Sequence, residues 1–143
     1  MKLATFEIGG AESTGIVVDG GIVDAARHGL PRDMIALIAG WPELKAKAAA
    51  AAKAKPDYRL DQVRLKAPVP RPQKVMAIGL NYADHIAESG AQTPEKQIWF
   101  AKLGNAINGP YDPIQIPKAS KAIDWEAEMV FVIGQRCRHV PKE

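Results

Sequence analysis

Two glutamates separated by a single residue open the chemical reading. The segment Asp124-Trp125-Glu126-Ala127-Glu128-Met129-Val130-Phe131-Val132-Ile133, followed by Gly134, has the β-branched and aromatic content of a strand. Side chains alternate along a strand, so Glu126, Glu128, Val130 and Val132 share one face. Ala127, Met129, Phe131 and Ile133 share the other. Both faces are apolar toward the C-terminal end, which implies burial on both sides there. Carboxylates at consecutive same-face positions are about 7 Å apart at their bases. Their repulsion and desolvation are unfavourable unless something compensates. A hard divalent cation such as Mg²⁺ or Mn²⁺ compensates, because it prefers oxygen ligands. Asp124 lies on the same face and could assist. The other reading is a solvent-facing rim whose glutamates pair with lysines.

A second constellation is Asn81-Tyr82-Ala83-Asp84-His85-Ile86-Ala87-Glu88. On a helix His85 and Glu88 are three residues apart and therefore neighbours. A carboxylate beside an imidazole raises its basicity and orients one nitrogen, the arrangement of a general base that activates water. A surface pair that only supports the helix has the same spacing. Lys102 ends the apolar run Ile98-Trp99-Phe100-Ala101, where an ammonium could stabilise a developing enolate or oxyanion, or simply reach solvent. His28 and His139 have no such partner in sequence and read as surface residues.

These residues need elements to carry them. Residues 2–8, 14–19 and 22–26 read as three strands, with Gly9-Gly10 and Asp19-Gly20-Gly21 as turns, so the chain opens on an antiparallel meander. Pro31 to Ala39 reads as a short helix stopped by Gly40, and Pro42 to Lys55 as a second, alanine-rich surface helix. Its Lys45, Lys47, Lys53 and Lys55 have no interleaved aromatic residues and read as a solvated face. Ala67-Pro-Val-Pro-Arg-Pro72 is a polyproline-type connector and marks a domain boundary. Beyond it, 74–79 and 97–102 read as strands. A helix from Tyr82 to about Ser89 lies between them, with Asn81 as cap and Gly90 as stop. Residues 105–112 form a loop and Pro113 to Pro117 a short extended piece.

Composition bounds the class. The 143 residues are 47% hydrophobic and 24% charged, a globular balance. Lys and Arg total 19 against 16 for Asp and Glu, and a net charge of +3 is too small and dispersed for a nucleic-acid footprint. No apolar stretch approaches the roughly 20 residues of a membrane span. The single cysteine, Cys137, allows no intrachain disulfide and fits a reducing compartment. A cytoplasmic location is the expectation.

Four pieces in register carry a resemblance: Pro68-Val-Pro-Arg-Pro-Gln-Lys-Val-Met-Ala-Ile-Gly-Leu-Asn-Tyr-Ala-Asp-His85, Phe100-Ala-Lys102, Asn108-Gly-Pro-Tyr-Asp-Pro-Ile-Gln-Ile-Pro117, and Asp124-Trp-Glu-Ala-Glu128 with the following Val-Phe-Val-Ile-Gly134. In order and spacing across residues 68–140 they resemble the fumarylacetoacetate hydrolase family. Residues 1–66 resemble, more loosely, the small N-terminal domain that many members carry. The resemblance implies an α+β, mainly β fold. A small β-meander and helix domain (1–66) and a Pro-rich connector (67–73) would precede the start of a mixed β-roll catalytic domain (74–143), left incomplete.

The resemblance further implies a Mg²⁺, Mn²⁺ or Ca²⁺ ion held by Glu126 and Glu128 with a later aspartate that lies beyond Glu143. It implies a His85–Glu88 dyad that activates water, Lys102 beside the substrate's oxo groups, and a homodimer in the full-length form. The implied substrate is a small 2-oxo or 2,4-dioxo acid, and the implied reaction is hydrolysis of a carbon–carbon bond in an acylpyruvate-like compound. Isomerisation or decarboxylation of a related oxo acid (the 2-hydroxyhepta-2,4-diene-1,7-dioate isomerase type) stays open. So does a truncated or partner-dependent chain without activity of its own.

Overall fold

The chain reverses twice within its first 24 residues, and glycine makes both reversals possible. Gly9, Gly10 and Gly20 take φ values of 56°, 78° and 83°, a region that a Cβ disfavours. In the computed structural model, which describes residues 1–142, β1 (Lys2–Ile8), β2 (Ala11–Val18) and β3 (Gly21–Asp24) form the expected antiparallel meander. β4 (Arg64–Leu65) returns to pair with β1, giving the order β3-β2-β1-β4. β2 starts at Ala11 rather than Thr14, because the two-glycine turn leads straight into the Ile8–Ala11 pairing. The third strand stops at Asp24, whose side chain accepts from Ala26 N (3.1 Å) and starts a 3₁₀ turn at Ala25–His28.

Two short helices follow: α1 (Met34–Ala39) and α2 (Trp41–Ala51). α1 begins later than Pro31 because the Asp33 carboxylate caps it, accepting from Ala36 N at 2.8 Å. Leu37 and Met34 of α1 and Ala48 and Ala51 of α2 join Ile16, Val23 and Leu30 in one buried cluster. The expected surface helix α2 thus buries one stripe, its small alanines packed into that cluster. Ile16 and Val23 are register partners on one face of the sheet. On the other face Phe6 and Ile22 are fully buried, and Tyr58 packs on Phe6 at 5.9 Å between ring centroids. Gly15 lies between them, where a Cβ would meet the Ile22 side chain. Buried hydroxyls are paired: Thr5 donates to Pro68 O (2.7 Å), Thr14 to Arg32 O (2.8 Å) and Ser13 to Asp24 Oδ1 (2.7 Å).

Residues Met1–Val69 and the segment from Asn108 onward cluster as one compact unit, and Pro70–Ile107 as another. The second unit is a two-stranded antiparallel ribbon of β5 (Val75–Gly79) and β6 (Ile98–Lys102), with α3 (Ala83–Ser89) between the strands in sequence. Met76, Ile98, Trp99 and Phe100 remain exposed on the ribbon. The fold is mixed α and β, mainly β.

One expected strand is absent. Residues 124–133 have no regular secondary structure. Their apolar side chains are exposed rather than buried, with Phe131 at 79% and Ile133 at 72%. A strand needs a neighbour for its backbone groups and a cover for its faces. Among the described residues none pairs with this segment.

Leu37 is fully buried between the sheet and α2. Leu37→Ala is expected to lower unfolding free energy by about 2–5 kcal/mol, measured by urea denaturation; a loss below ~1 kcal/mol would show that this cluster is not the core.

Candidate functional site

The helix that bears His85 and Glu88 is built by a sharp reversal after β5. Leu80 takes φ 52°, a left-handed conformation uncommon outside glycine. Asn81 does not become the helix cap; the cap position falls to Tyr82, which makes no side-chain cap bond. Ile86 N donates to Tyr82 O at 3.1 Å, and Gly90, at φ 65°, closes the other end. Asp84 sits in the first turn, where its charge complements the helix dipole. His85 and Glu88 are both exposed and lie one turn apart. They share α3, but no hydrogen bond or ion pair joins them among the described residues. Half-buried Ile86 instead faces an open cleft of about 590 Å³, bordered also by Ile78, Leu80, Asn81 and Pro94. That volume falls in the range of small-molecule pockets. Neither His85 nor Glu88 is among its walls.

Lys102 ends β6 opposite Val75. Its ammonium lies 5.9 Å from the Phe100 ring centroid, and the residue is exposed. His85, Glu88 and Lys102 therefore belong to the Pro70–Ile107 unit.

Glu126 and Glu128 belong to the other unit. Both are exposed, on the segment that carries no strand. Just before them the Asp124 carboxylate accepts from Trp125 N at 2.8 Å, a local turn that engages the residue expected to assist. The donor chemistry at Glu126 and Glu128 suits a hard divalent cation. Yet among the described residues no group of three or more His, Cys, Asp or Glu side chains comes together.

A contact that sequence reading missed lies upstream of this segment. Asp112 Oδ1 accepts from Arg64 Nη2 (2.7 Å) and Nε (3.1 Å). The two residues are 48 apart in sequence, and no local pattern announces the pairing. The Arg64 hydrogen bonds hold the Asp112 carboxyl below its ordinary range, assisted by the charges of Arg64 and Lys66.

Residues 74–143 match the family model described as Fumarylacetoacetate (FAA) hydrolase C-terminal. The chain belongs to the fumarylacetoacetate hydrolase family. It is 40% identical over 126 residues to the mitochondrial oxaloacetate tautomerase Fahd2a of Rattus norvegicus, covering 86% of this chain and 40% of that protein. It is also 40% identical over 127 residues to 2,4-didehydro-3-deoxy-L-rhamnonate hydrolase of Sphingomonas sp. (strain SKA58), covering 86% of this chain and 43% of the relative. Among solved structures, maleylpyruvate hydrolase from Sphingobium sp. SYK-6, in complex with manganese(II) ion and pyruvate, superposes with a TM-score of 0.63 at 33% identity. That match covers 82% of this chain and 43% of the other. The chain spans about 40% of the length of these family relatives, which are enzymes: a tautomerase and hydrolases.

The Asp112 shift has a definite sign. Its folded value is depressed, so the contribution of the Arg64 pair is fully present above the unfolded aspartate value of 3.8 and lost as pH falls through the lower folded value. Thermal midpoints of the wild type and of Asp112→Asn are expected to differ at neutral pH and to converge as pH falls below 3.8. A constant difference down to the acid limit would contradict the pairing.

Proposed function

We propose that the protein acts in metal-dependent hydrolysis of a carbon–carbon bond in an acylpyruvate-like 2,4-dioxo acid. The observation that carries this reading is the likeness to a maleylpyruvate hydrolase bound to manganese(II) and pyruvate, over 82% of this chain. Pyruvate is what hydrolysis of an acylpyruvate releases. The exposed pair on α3, the lysine ending β6 and the Glu126/Glu128 carboxylates supply the side-chain chemistry that reaction needs.

In this reading Glu126 and Glu128 hold a divalent cation, Mg²⁺, Mn²⁺ or Ca²⁺, together with donors from elsewhere. When bound, the ion polarises the oxo groups of the acid. The remaining work falls to the chain's own residues. Glu88 orients the His85 imidazole, and His85 Nε2 or Nδ1 takes a proton from water. The hydroxide oxygen bonds to the distal carbonyl carbon. The bond from that carbon to the methylene breaks, and its electron pair passes to the pyruvate enolate. The Lys102 ammonium stabilises the enolate oxygen. His85 then returns its proton to the methylene carbon, giving pyruvate and a carboxylic acid. A homodimer in the cytoplasm is the assembly and location we attach to this reading.

A second reading is tautomerisation of a 2-oxo acid, favoured by the 40% identity to oxaloacetate tautomerase. It needs the same base and lysine but no water: His85 would move one proton between the enol oxygen and carbon. A truncated chain, or one that depends on a partner for activity, is a third reading.

His85→Ala is expected to lower kcat on an acylpyruvate by about 10²–10⁴-fold while Mn²⁺ binding persists; unchanged turnover would remove His85 from the role of base. Glu126→Gln and Glu128→Gln are each expected to abolish saturable Mn²⁺ binding in isothermal titration with the circular dichroism spectrum retained. Mn²⁺ binding equal to the wild type in both would overturn the ligand assignment.

A further inference from the structure

Of the chain's three asparagines, Asn81 and Asn105 precede Tyr82 and Ala106, and Asn108 alone precedes a glycine. An Asn-Gly step is chemically labile, because a residue without Cβ leaves its backbone nitrogen free to reach the preceding side chain. Asn108 is exposed to water, and Gly109 N lies 3.0 Å from its Oδ1. The reacting groups are already neighbours, but the turn around them holds them in an unreactive pose. Gly109 N–H donates to Oδ1, and such a bond lies near the plane of the side-chain amide. Attack on Cγ has to come from above that plane. The nitrogen that would leave, Asn108 Nδ2, is also held: it donates to Asp112 O (3.3 Å) and Pro113 O (3.2 Å).

Asp112 closes the turn and Arg64 fastens it. Asp112 N donates to Gly109 O (3.2 Å). Its Oδ1 accepts two bonds from the Arg64 guanidinium, at 2.7 and 3.1 Å, and a planar fork on one carboxylate oxygen holds orientation as well as distance. The other oxygen, Oδ2, packs against Gly109: a Cβ built there would lie 2.5 Å from it, and 3.4 Å from Leu65 O of β4. A negative charge at that place disfavours loss of the Gly109 N–H proton, and ring closure onto Cγ requires that loss.

We propose that Asn108 is a deamidation site whose reaction waits on opening of the Asn108–Pro113 turn, and that the reaction makes the opening permanent. With the turn open, the Gly109 nitrogen gives its proton to solvent base and bonds to Asn108 Cγ. The Cγ–Nδ2 bond breaks and the nitrogen leaves as ammonia. Water then opens the five-membered ring at either carbonyl and leaves aspartate or isoaspartate. Water is consumed and ammonia released in equal amounts. A carboxylate at position 108 has no proton to offer Asp112 O or Pro113 O, which lose their donor. It also adds a second negative charge to a turn that already holds Asp112. The turn therefore does not reclose. This inference is independent of the reaction proposed above.

The test incubates the purified chain, Arg64→Ala, Asp112→Ala and a synthetic peptide of residues 106–114 side by side at neutral pH. Peptide mapping by mass spectrometry reads replacement of NH₂ by OH at Asn108, with Asn81 and Asn105 as internal references. Asn108 is expected to react about 10-fold more slowly in the folded chain than in the peptide, because a local opening must come first. Arg64→Ala and Asp112→Ala open the turn from its two sides, and the rate in each is expected to approach that of the peptide. Circular dichroism checks that the sheet is kept, and either variant alone suffices. In Asn108→Asp, hydrogen exchange of the Gly109 and Asp112 amides is expected to rise to the level of those variants. A folded chain that reacts as fast as the peptide, folded variants that react no faster than the wild type, or an Asn108→Asp turn that exchanges as slowly as the wild type would each overturn the proposal.

Discussion

A sheet is stable only when its faces are covered and its edges are managed, and that constraint governs what each part of this chain can do. In the N-terminal unit it is met. Ile16 and Val23 are covered by α1 and α2, and Phe6 and Ile22 lie on the opposite face with Tyr58 stacked on Phe6. Burial of apolar surface, at about 25 cal/mol per Å², favours this two-sided coverage. Arg64 lies at the edge of this sheet, on β4.

In the rest of the chain the constraint is met less fully. The β5–β6 ribbon leaves Trp99 and Phe100 exposed, and two strands alone are marginal in water. Residues 124–133 have a strand's composition but no partner among the described residues. The side chains to which the proposed function gives roles fall where coverage is thin: His85, Glu88 and Lys102 on the ribbon unit, Glu126 and Glu128 on the segment that forms no strand. His85, Glu88, Lys102, Glu126 and Glu128 are all exposed.

Local signals were legible where local physics decides. The glycine turns at Gly9-Gly10 and Gly20, the β5 and β6 runs and the His85-bearing helix could all be read from residue types within a few positions. Small errors came from caps: Asp24 and Asp33 each use a carboxylate to start a turn or helix where strand or proline signals pointed elsewhere. The larger misreading, a buried strand at 124–133, has a different cause. Alternation and β-branching show that a segment can be a strand, but pairing depends on residues far away in sequence. The same holds for Arg64 and Asp112, and for any third metal donor, since none of these is specified by its neighbours. The four motifs carried the family because their spacing, unlike their individual contacts, is a one-dimensional property.

The central claim is that water attacks a carbonyl and a carbon–carbon bond breaks. Incubating the purified protein with an acylpyruvate and Mn²⁺ in oxygen-18 water tests it most directly. The account predicts equimolar pyruvate and a carboxylic acid that carries oxygen-18 from the attacking water. A product with its carbon chain intact, differing from the substrate only in the position of a proton, would contradict it.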